Sequence, residues 1–307
     1  CDVMINIGAR FDDRVTGLVS AFSPNSVKIH VDIDPSSINK NVAVDIPIVA
    51  DAGKAIDAMM KEWQKKEYTP NQKALKSWWK QIDDWRSVNC LYYKQNSKII
   101  KPQYALERLR DLTADIKDLY ITTEVGQHQM WAAQFLPFNK PMRWMTSGGL
   151  GTMGYGFPAA IGVQIAHPKA TVIDVAGEAS IQMNIQELST AVQYKLPVKI
   201  FILNNEWMGM VRQWQELLHG ERYSHSYSES LPDFVKLAEA YGGIGLRADT
   251  TDELDDVIKE MLTTDRVTIV DVRVDPKENC FPMIPSGKPH NEMILSADVE
   301  KFEQGHV

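Results

Sequence analysis

Two apolar runs separated by a segment of helical periodicity constrain the fold of this chain more than any other feature. The runs are residues 171–176 (TVIDVA) and 198–203 (VKIFIL). Between them, apolar residues recur every three to four positions, as on one face of a helix: Ile185, Leu188, Val192 and Leu196. Strand, helix and strand in this order form a right-handed βαβ unit with parallel strands. We therefore expect Glu178 and Asn205, which follow the two strands, to converge at one edge of a parallel sheet.

Similar alternation along the chain predicts an α/β protein with doubly wound parallel sheets. Further strands are expected at residues 3–7, 27–33, 46–50, 119–123 and 267–274, and helices from residues 52, 102, 158, 206, 232 and 251. With 307 residues the chain is long enough for two domains, each with its own core. The expected divisions are a first domain (1–62), a connector (63–100), a second domain (101–276) and a tail (277–307).

The composition argues against several classes of function. A net charge of −7 without a basic cluster disfavours nucleic-acid binding, which needs concentrated Lys and Arg. No apolar run approaches the roughly 20 residues that span a bilayer. Three scattered cysteines without metal-ligand spacing fit a reducing cytoplasm. The chain begins at Cys1, almost directly on a strand, so we expect a fragment that starts inside a domain.

The connector holds four tryptophans among lysine, glutamine and aspartate residues: Trp63, Trp78, Trp79 and Trp85. Aromatic residues interleaved with basic ones occur on surfaces that stack single-stranded nucleic acid. Helices that pack between domains share this composition, with lysines on the solvated face. We interpret the connector in the second way.

Carboxylates follow the predicted strands of the first domain. Asp32 and Asp34 close the second strand, and Asp51 follows the third. At the ends of parallel strands such groups bind the ribose hydroxyls of dinucleotides, but they also cap turns and helices. Spacing alone favours capping. No complete Gly-x-Gly-x-x-Gly motif is present, so an ordinary NAD site is not expected.

Two features of the second domain suit a phosphorylated ligand and a metal ion. Residues 147–156 (SGGLGTMGYG) contain five glycines in ten residues, which allows close backbone approach and exposes N–H groups to phosphate oxygens. A flexible turn is the ordinary alternative, although Met153 inside it is not typical of one. The carboxylate of Glu178 and the amide oxygen of Asn205 suit Mg²⁺, which prefers six oxygen ligands. An ordinary βαβ unit with a polar strand end is the alternative.

Several motifs resemble acetolactate synthase, also called acetohydroxyacid synthase, in order and spacing. The stretch GEASIQMNIQELSTAVQYKLPVKIFILNN is similar to the thiamine diphosphate signature of that family. VGQHQMWAAQF, TSGGLGTMGYG, NNEWMGMVRQW and PMIPSG agree as well, and INIGARFDDRVTG with VDID resembles the later half of its central, FAD-binding domain. Two positions depart from the signature, because Glu178 replaces the usual Asp and Ala179 the usual second Gly.

The resemblance implies a thiamine diphosphate-binding domain at 101–276, preceded by part of a FAD-binding-type domain at 1–62 and followed by a tail that covers the active site. The implied cofactor contacts are Gln127, His128, Gly151, Thr152, Met153, Glu178, Ala179, Ser180, Asn205, Glu206, Trp207, Met208, Gly209 and Met210. Glu178, Asn205 and the Trp207 carbonyl would ligate Mg²⁺. Met153 would bend the cofactor between its two rings.

The same resemblance implies a flavin and a substrate channel. The implied FAD contacts are Ile7, Gly8, Ala9, Arg10, Phe11, Asp32, Ile33, Asp51 and Ala52. In this family the flavin is largely structural, so FAD need not imply redox chemistry. Arg14, Trp214 and Ser286 would lie along the route of the substrate, and Trp214 would select the second keto acid.

The implied activity is decarboxylation of pyruvate and transfer of the two-carbon unit to pyruvate or 2-ketobutyrate, in valine, leucine and isoleucine biosynthesis. The implied partners are a second catalytic subunit, in a homodimer or tetramer, and a small regulatory subunit. A glutamate from an N-terminal domain outside this chain would complete the site, so the isolated chain is expected to be inactive. The alternatives are glyoxylate carboligase, sulfoacetaldehyde acetyltransferase, pyruvate oxidase, or a non-catalytic nucleotide-binding relative.

Overall fold

A computed structural model describes residues 1–95 and 97–297, which form two compact units. The first unit contains residues 1–92 together with the described residues from 281 onward, and the second contains residues 93–280. Residues 298–307 of the predicted tail and residue 96 of the predicted connector lie outside the described part.

A three-stranded parallel sheet is the centre of the first unit. Its strands are β1 (Val3–Ile7), β2 (Val27–Asp32) and β3 (Ile46–Val49), in the spatial order β1-β2-β3. Its helices are α1 (Asp13–Thr16), α2 (Ala52–Lys65) and α3 (Gln72–Arg86). The three predicted strands are confirmed to within one residue at each end. Side-chain oxygens of Asp12, Asp51 and Asn71 accept backbone N–H groups at the starts of the three helices.

The described part of the C-terminal segment packs in this first unit. The backbone N–H of Leu18 donates to the carbonyl of Lys288 at 3.0 Å. The rings of Phe22 and His290 meet edge to face with their centroids 5.8 Å apart. Gly17 permits this approach, since a Cβ there would lie 2.6 Å from the Lys288 oxygen. The connector tryptophans are between 40% and 57% exposed, so their packing between domains stays a prediction.

The second unit is built on six parallel strands in the spatial order β5-β4-β6-β7-β9-β8. The strands are β4 (Leu119–Thr123), β5 (Trp144–Thr146), β6 (Thr171–Ala176), β7 (Lys199–Asn204), β8 (Ile244–Ala248) and β9 (Thr268–Arg273). The helices are α4 (Pro102–Thr113), α5 (Gln127–Phe135), α6 (Gly156–Ala166), α7 (Glu178–Ile181), α8 (Leu188–Gln193), α9 (Gly209–Leu218), α10 (Phe234–Tyr241) and α11 (Thr251–Thr263).

Helices cover both faces of this sheet, which confirms the doubly wound fold. Successive side chains of a strand point to opposite faces. In β6, Ile173 belongs to the buried cluster formed with α4, α5 and α11. Its neighbour Val172 belongs to the cluster formed with α6, α8 and α10. None of the described helices combines the length and the apolar character that a membrane crossing requires.

Three local predictions differ from the structure. The crossover between β6 and β7 is not one helix: α7 leads into a 3₁₀ turn, Gln182–Glu187, in which Asn184 has non-helical angles and donates to the carbonyl of Gly154 at 2.6 Å. The helix expected from residue 206 begins at Gly209. Periodicity does not indicate β8, whose Gly245 packs so closely on α10 that a Cβ would lie 2.5 Å from the backbone of Val235.

Candidate functional site

The βαβ unit places Glu178 and Asn205 together, as expected. Strands β6 and β7 pair in parallel, with Val175 opposite Phe201. Both strands therefore end at the same edge of the sheet, and each is followed within two residues by one of the two polar side chains. Glu178 and Asn205 line one cavity of about 220 Å³ at this edge.

Most of the predicted cofactor residues line the same cavity. These are Gln127, His128, Gly151, Met153, Glu178, Ala179, Ser180, Asn205, Trp207, Met208, Gly209 and Met210. Thr152 and Glu206 do not. Residues that the sequence did not single out complete the wall: Val125, Gly126, Gln129, Trp131, Gly177, Leu203 and Val211. They are neighbours of predicted residues on the same loops and helix starts, which is the signal that could have found most of them.

Glu178 is a buried carboxylate without a full set of hydrogen bonds. The residue is 1% exposed, and its Oε1 has no hydrogen-bond partner among the described residues. Burial raises the pKa of Glu178 to about 8, against backbone N–H groups of Glu178 itself, Asn205 and Trp207, which lower it. A desolvated, partly bonded carboxylate at the end of a sheet is stabilised when a cation supplies the missing charge. The residue thus fits a Mg²⁺ ligand.

Asn205 lines the same cavity, and its side-chain amide has two hydrogen-bond partners. Its Nδ2 donates to Oε1 of Gln127 at 3.2 Å, and its Oδ1 accepts the backbone N–H of Trp207 at 3.1 Å. An amide oxygen has a second lone pair for a cation. Gly209 is required beside this pair, because a Cβ there would lie 2.0 Å from Gln127 Oε1.

Two further buried polar atoms of the wall lack partners among the described residues. They are Nε2 of His128 and Nε1 of Trp131. Burial lowers the pKa of His128 to about 3, against a hydrogen bond to the backbone of Glu124 that raises it. The imidazole is therefore neutral near pH 7. Unpaired polar atoms around one cavity indicate that it accepts a polar ligand, because leaving such atoms unpaired is costly.

Helix starts at the cavity suit anionic groups. Helices α5 and α9 both begin on its wall, at Gln127 and Gly209, and neither has a side-chain cap at its N-terminus. Uncapped N–H groups at a helix start bind phosphate oxygens. The cavity therefore combines a carboxylate and an amide oxygen for a cation with N–H groups for phosphates.

A buried carboxyl pair that the sequence analysis missed holds the glycine-rich loop. The Glu124 carboxylate accepts the backbone N–H groups of Gly154 at 2.5 Å and Phe157 at 3.0 Å. Burial raises the pKa of Glu124, and burial together with the Glu124 charge raises the pKa of Asp174 well above its ordinary value. Gly156 is needed here, since its Cβ would lie 2.3 Å from Asp174 Oδ1.

Three predicted residues of the second unit do not line the cavity: Thr152, Glu206 and Trp214. Glu206 has a φ of +64° and pairs with Arg273 at 3.2 Å, so its side chain is engaged elsewhere. Trp214 lines a separate, more open cavity of about 540 Å³ with Met210 and Arg222. Met210 and Val211 border both cavities.

The predicted FAD residues lie along the carboxyl edge of the first unit's sheet. They are the last residues of β1 and β2 (Ile7 and Asp32) or follow β1, β2 and β3, which run in parallel. Local roles are also present: Asp32 accepts the N–H of Asp34 at 2.8 Å, and Asp51 caps α2. Capping is therefore observed, and flavin binding remains a proposal. Arg14, which pairs with Asp13 at 2.9 Å, and Ser286 also lie in this unit, and both are exposed.

Comparison with known proteins agrees with the chemistry of the cavity. Residues 124–272 match the C-terminal TPP binding domain of the thiamine pyrophosphate enzymes, and residues 1–59 match the central domain of the same enzymes. Thiamine pyrophosphate is another name for thiamine diphosphate. The chain therefore belongs to the thiamine pyrophosphate enzyme family, and the matched C-terminal domain contains the cavity lined by Glu178 and Asn205.

Within that family the chain is similar to acetolactate synthase large subunits. It is 48% identical to the acetolactate synthase isozyme 3 large subunit of Escherichia coli over 96% of this chain and 52% of the relative. It is 47% identical to the large subunit of Haemophilus influenzae over 98% and 52%, and 50% identical to that of Buchnera aphidicola subsp. Schizaphis graminum over 96% and 51%. The resemblance seen in the motifs is confirmed, and the chain spans about half the length of these relatives.

Proposed function

We propose that this chain is the cofactor-binding part of an acetolactate synthase catalytic subunit. Its substrates would be pyruvate and a second 2-keto acid, either pyruvate or 2-ketobutyrate, and its product a branched acetohydroxy acid. The observation that carries the proposal is the Glu178 carboxylate, buried with one unpartnered oxygen beside Asn205 at the end of a parallel sheet. The similarity to acetolactate synthase large subunits supports the particular substrates.

The residues of the cavity divide into two groups by what they would hold. Glu178, the Asn205 oxygen and the Trp207 carbonyl would bind Mg²⁺, and the starts of α5 and α9 would bind the diphosphate. Met153, within the glycine-rich loop, supplies an apolar side chain to the cavity wall. Thiamine diphosphate, when bound, supplies an electron sink that no side chain provides.

Further parts of the proposal concern the second substrate, FAD, the partner subunits and the compartment. Trp214 would narrow the space for the second keto acid, since its large ring lines the cavity next to Met210. FAD would bind the carboxyl edge of β1–β3, and a second catalytic subunit would supply the glutamate that acts with the cofactor. A small regulatory subunit would control the enzyme. All three cysteines are free, which supports a reducing cytoplasm.

Product analysis tests the activity. The longer protein that contains this chain, incubated with pyruvate, Mg²⁺ and thiamine diphosphate, should form acetolactate. Acetaldehyde, acetyl phosphate or a glyoxylate-derived product in its place would overturn the proposed substrates and favour another enzyme of the same family.

Binding tests the cofactor site independently of activity. The chain should bind thiamine diphosphate only with Mg²⁺ present. Glu178→Gln should abolish the Mg²⁺-dependent binding because it removes the anionic ligand, whereas Glu178→Asp should retain that binding. If Glu178→Gln kept the wild-type Mg²⁺ dependence, the assignment of Glu178 as a ligand would be wrong.

A further inference from the structure

Gln213, in the second turn of α9, is completely buried and bonds to both backbone polar groups of Cys280. Its Oε1 accepts the N–H of Cys280 at 2.8 Å, and its Nε2 donates to the carbonyl of Cys280 at 3.0 Å. A backbone N–H can only donate and a backbone carbonyl can only accept. This pair therefore fixes which end of the Gln213 amide is oxygen and which is nitrogen.

Gln213 and the backbone carbonyl of Glu278 together orient Gln127 on the cavity wall. Gln213 Oε1 accepts Nε2 of Gln127 at 2.7 Å and the Glu278 carbonyl accepts the same nitrogen at 3.3 Å, so Gln127 directs its own oxygen away from Gln213. That oxygen accepts Nδ2 of Asn205 at 3.2 Å. Rotating one amide by half a turn would bring like atoms face to face and leave buried groups unpaired, at a cost of about 1–3 kcal/mol each.

The consequence reaches the metal ligand. With Nδ2 of Asn205 engaged by Gln127, the oxygen is at the other end of the amide group, where it accepts the Trp207 N–H. Mg²⁺ binds carbonyl and carboxylate oxygens and is repelled by an amide NH₂ group. Loss of the Gln127 contact would leave the Trp207 N–H alone to hold the amide in this orientation.

We propose that Gln213 is a positioning residue of the Mg²⁺ site and acts through Gln127 to hold the oxygen of Asn205 toward the cation. The inference rests on the proposed function, because it takes Asn205 to be a metal ligand. Groups that hydrogen-bond to metal ligands commonly contribute about 10–100-fold to metal affinity. Gln213→Met removes the amide at nearly constant volume and should weaken metal binding by a factor in that range.

The discriminating experiment repeats the substitution with Asn205→Asp. A carboxylate has oxygen at both ends, so it has no orientation for the relay to determine. The 307-residue chain would be titrated with Mn²⁺ in the presence of thiamine diphosphate, and free Mn²⁺ followed by electron paramagnetic resonance. Gln213→Met should raise the Mn²⁺ dissociation constant at least about tenfold with Asn205 present, and less than about threefold in the Asn205→Asp background.

Control variants separate this role from a structural one. Gln164, on helix α6, carries a similarly buried amide that donates to the backbone carbonyls of His167 and Ala170. Gln164→Met should leave the Mn²⁺ affinity unchanged. Should Gln213→Met fail to fold, as judged by thermal unfolding, Gln127→Met breaks the same chain of hydrogen bonds one link nearer the metal. It should weaken Mn²⁺ binding strongly with Asn205 present and much less with Asn205→Asp.

The outcomes are distinguishable. An equal loss of Mn²⁺ affinity in both backgrounds, or no loss in either, would overturn the role of Gln213 while leaving the metal site intact. Absence of Mn²⁺ binding by the wild-type chain would overturn the proposed cofactor site and the inference with it.

Discussion

The raised pKa of Glu178 leads to a prediction that links function to stability. In the unfolded chain this carboxyl ionises near its ordinary pKa of 4.5, and in the folded chain burial raises the pKa to about 8. Below the lower value the group is protonated in both states and affects nothing. Between the two values the folded state holds a proton that the unfolded state releases, so stability falls by about 1.4 kcal/mol per pH unit. Without metal, the accumulated cost approaches roughly 5 kcal/mol above the upper value.

Glu178→Gln removes this titration and should therefore stabilise the metal-free chain increasingly as the pH rises. The free energy of unfolding of the variant minus that of the wild type should grow by about 4 kcal/mol between pH 5 and pH 8. Other titrating groups, including the Glu124–Asp174 pair, occur in both proteins and cancel in the difference. The lost backbone hydrogen bonds to the carboxylate change the offset between the proteins, so the slope with pH is the decisive quantity.

The buried thiol of Cys280 provides an assay of the second unit alone. Cys280 is 0% exposed, whereas Cys1 and Cys90 belong to the first unit. Its labelling by a dithiodipyridine reagent in urea, with a chelator present, reports unfolding of the second unit at each pH. With a urea m-value of about 2 kcal/mol per M, the difference between the unfolding midpoints of variant and wild type should change by roughly 2 M from pH 5 to pH 8.

A matched control and a clear contrary result complete this test. Glu229→Gln, at an exposed carboxylate, controls for the loss of one carboxylate charge. If the Glu178→Gln difference did not change with pH, Glu178 would not be a desolvated acid in the folded protein. The reasoning that assigns it a cation partner would then lose its main physical support.

Four further substitutions test other parts of the second unit. Gly209→Ala should weaken binding of thiamine diphosphate with Mg²⁺ at least about tenfold in a calorimetric titration, because the new Cβ would lie 2.0 Å from Gln127 Oε1. Unchanged binding would show that the cavity wall adapts to the new side chain. Gly156→Ala should lower the free energy of unfolding by about 1–3 kcal/mol in the thiol assay, since its Cβ would meet a buried carboxylate oxygen at 2.3 Å. Gly162→Ala, with open space on the same helix, should raise it by about 0.5–1 kcal/mol, and equal effects of the two would contradict the packing argument. Trp214→Leu in the longer protein should reduce the share of product formed from 2-ketobutyrate when both keto acids compete, and an unchanged ratio would rule out a selecting role.

Local patterns in the sequence determined most of the strands, though not β5 and β8, and the meeting of the two central polar residues. The apolar runs around residues 171–176 and 198–203 are short, rich in β-branched residues and separated by a helical period, so each specifies its own conformation. The handedness of the βαβ crossover then leaves one arrangement, in which Glu178 and Asn205 share a sheet edge. That much needs no knowledge of distant contacts.

The start of α9 is a detail of the site that the pattern of apolar residues does not determine. The helix expected from residue 206 is delayed to Gly209, because the side-chain oxygens of Asn204 and Asn205 accept the N–H groups of Glu206 and Trp207 and turn the backbone first. Whether an amide side chain bonds its neighbours or continues a helix depends on what surrounds it.

The pKa of Glu178 and the orientation of the Asn205 amide likewise depend on tertiary structure. Desolvation of Glu178 arises from the sheet, loops and helices that enclose it. The orientation of the Gln213 amide, and through it that of Gln127, depends on the backbone N–H and carbonyl of Cys280, 67 positions from Gln213. Burial and long-range hydrogen bonds are properties of the packed chain, and no local spacing encodes them. The sequence therefore determined which residues meet at the sheet edge, and only the tertiary structure decided their protonation and which of their atoms face the cavity.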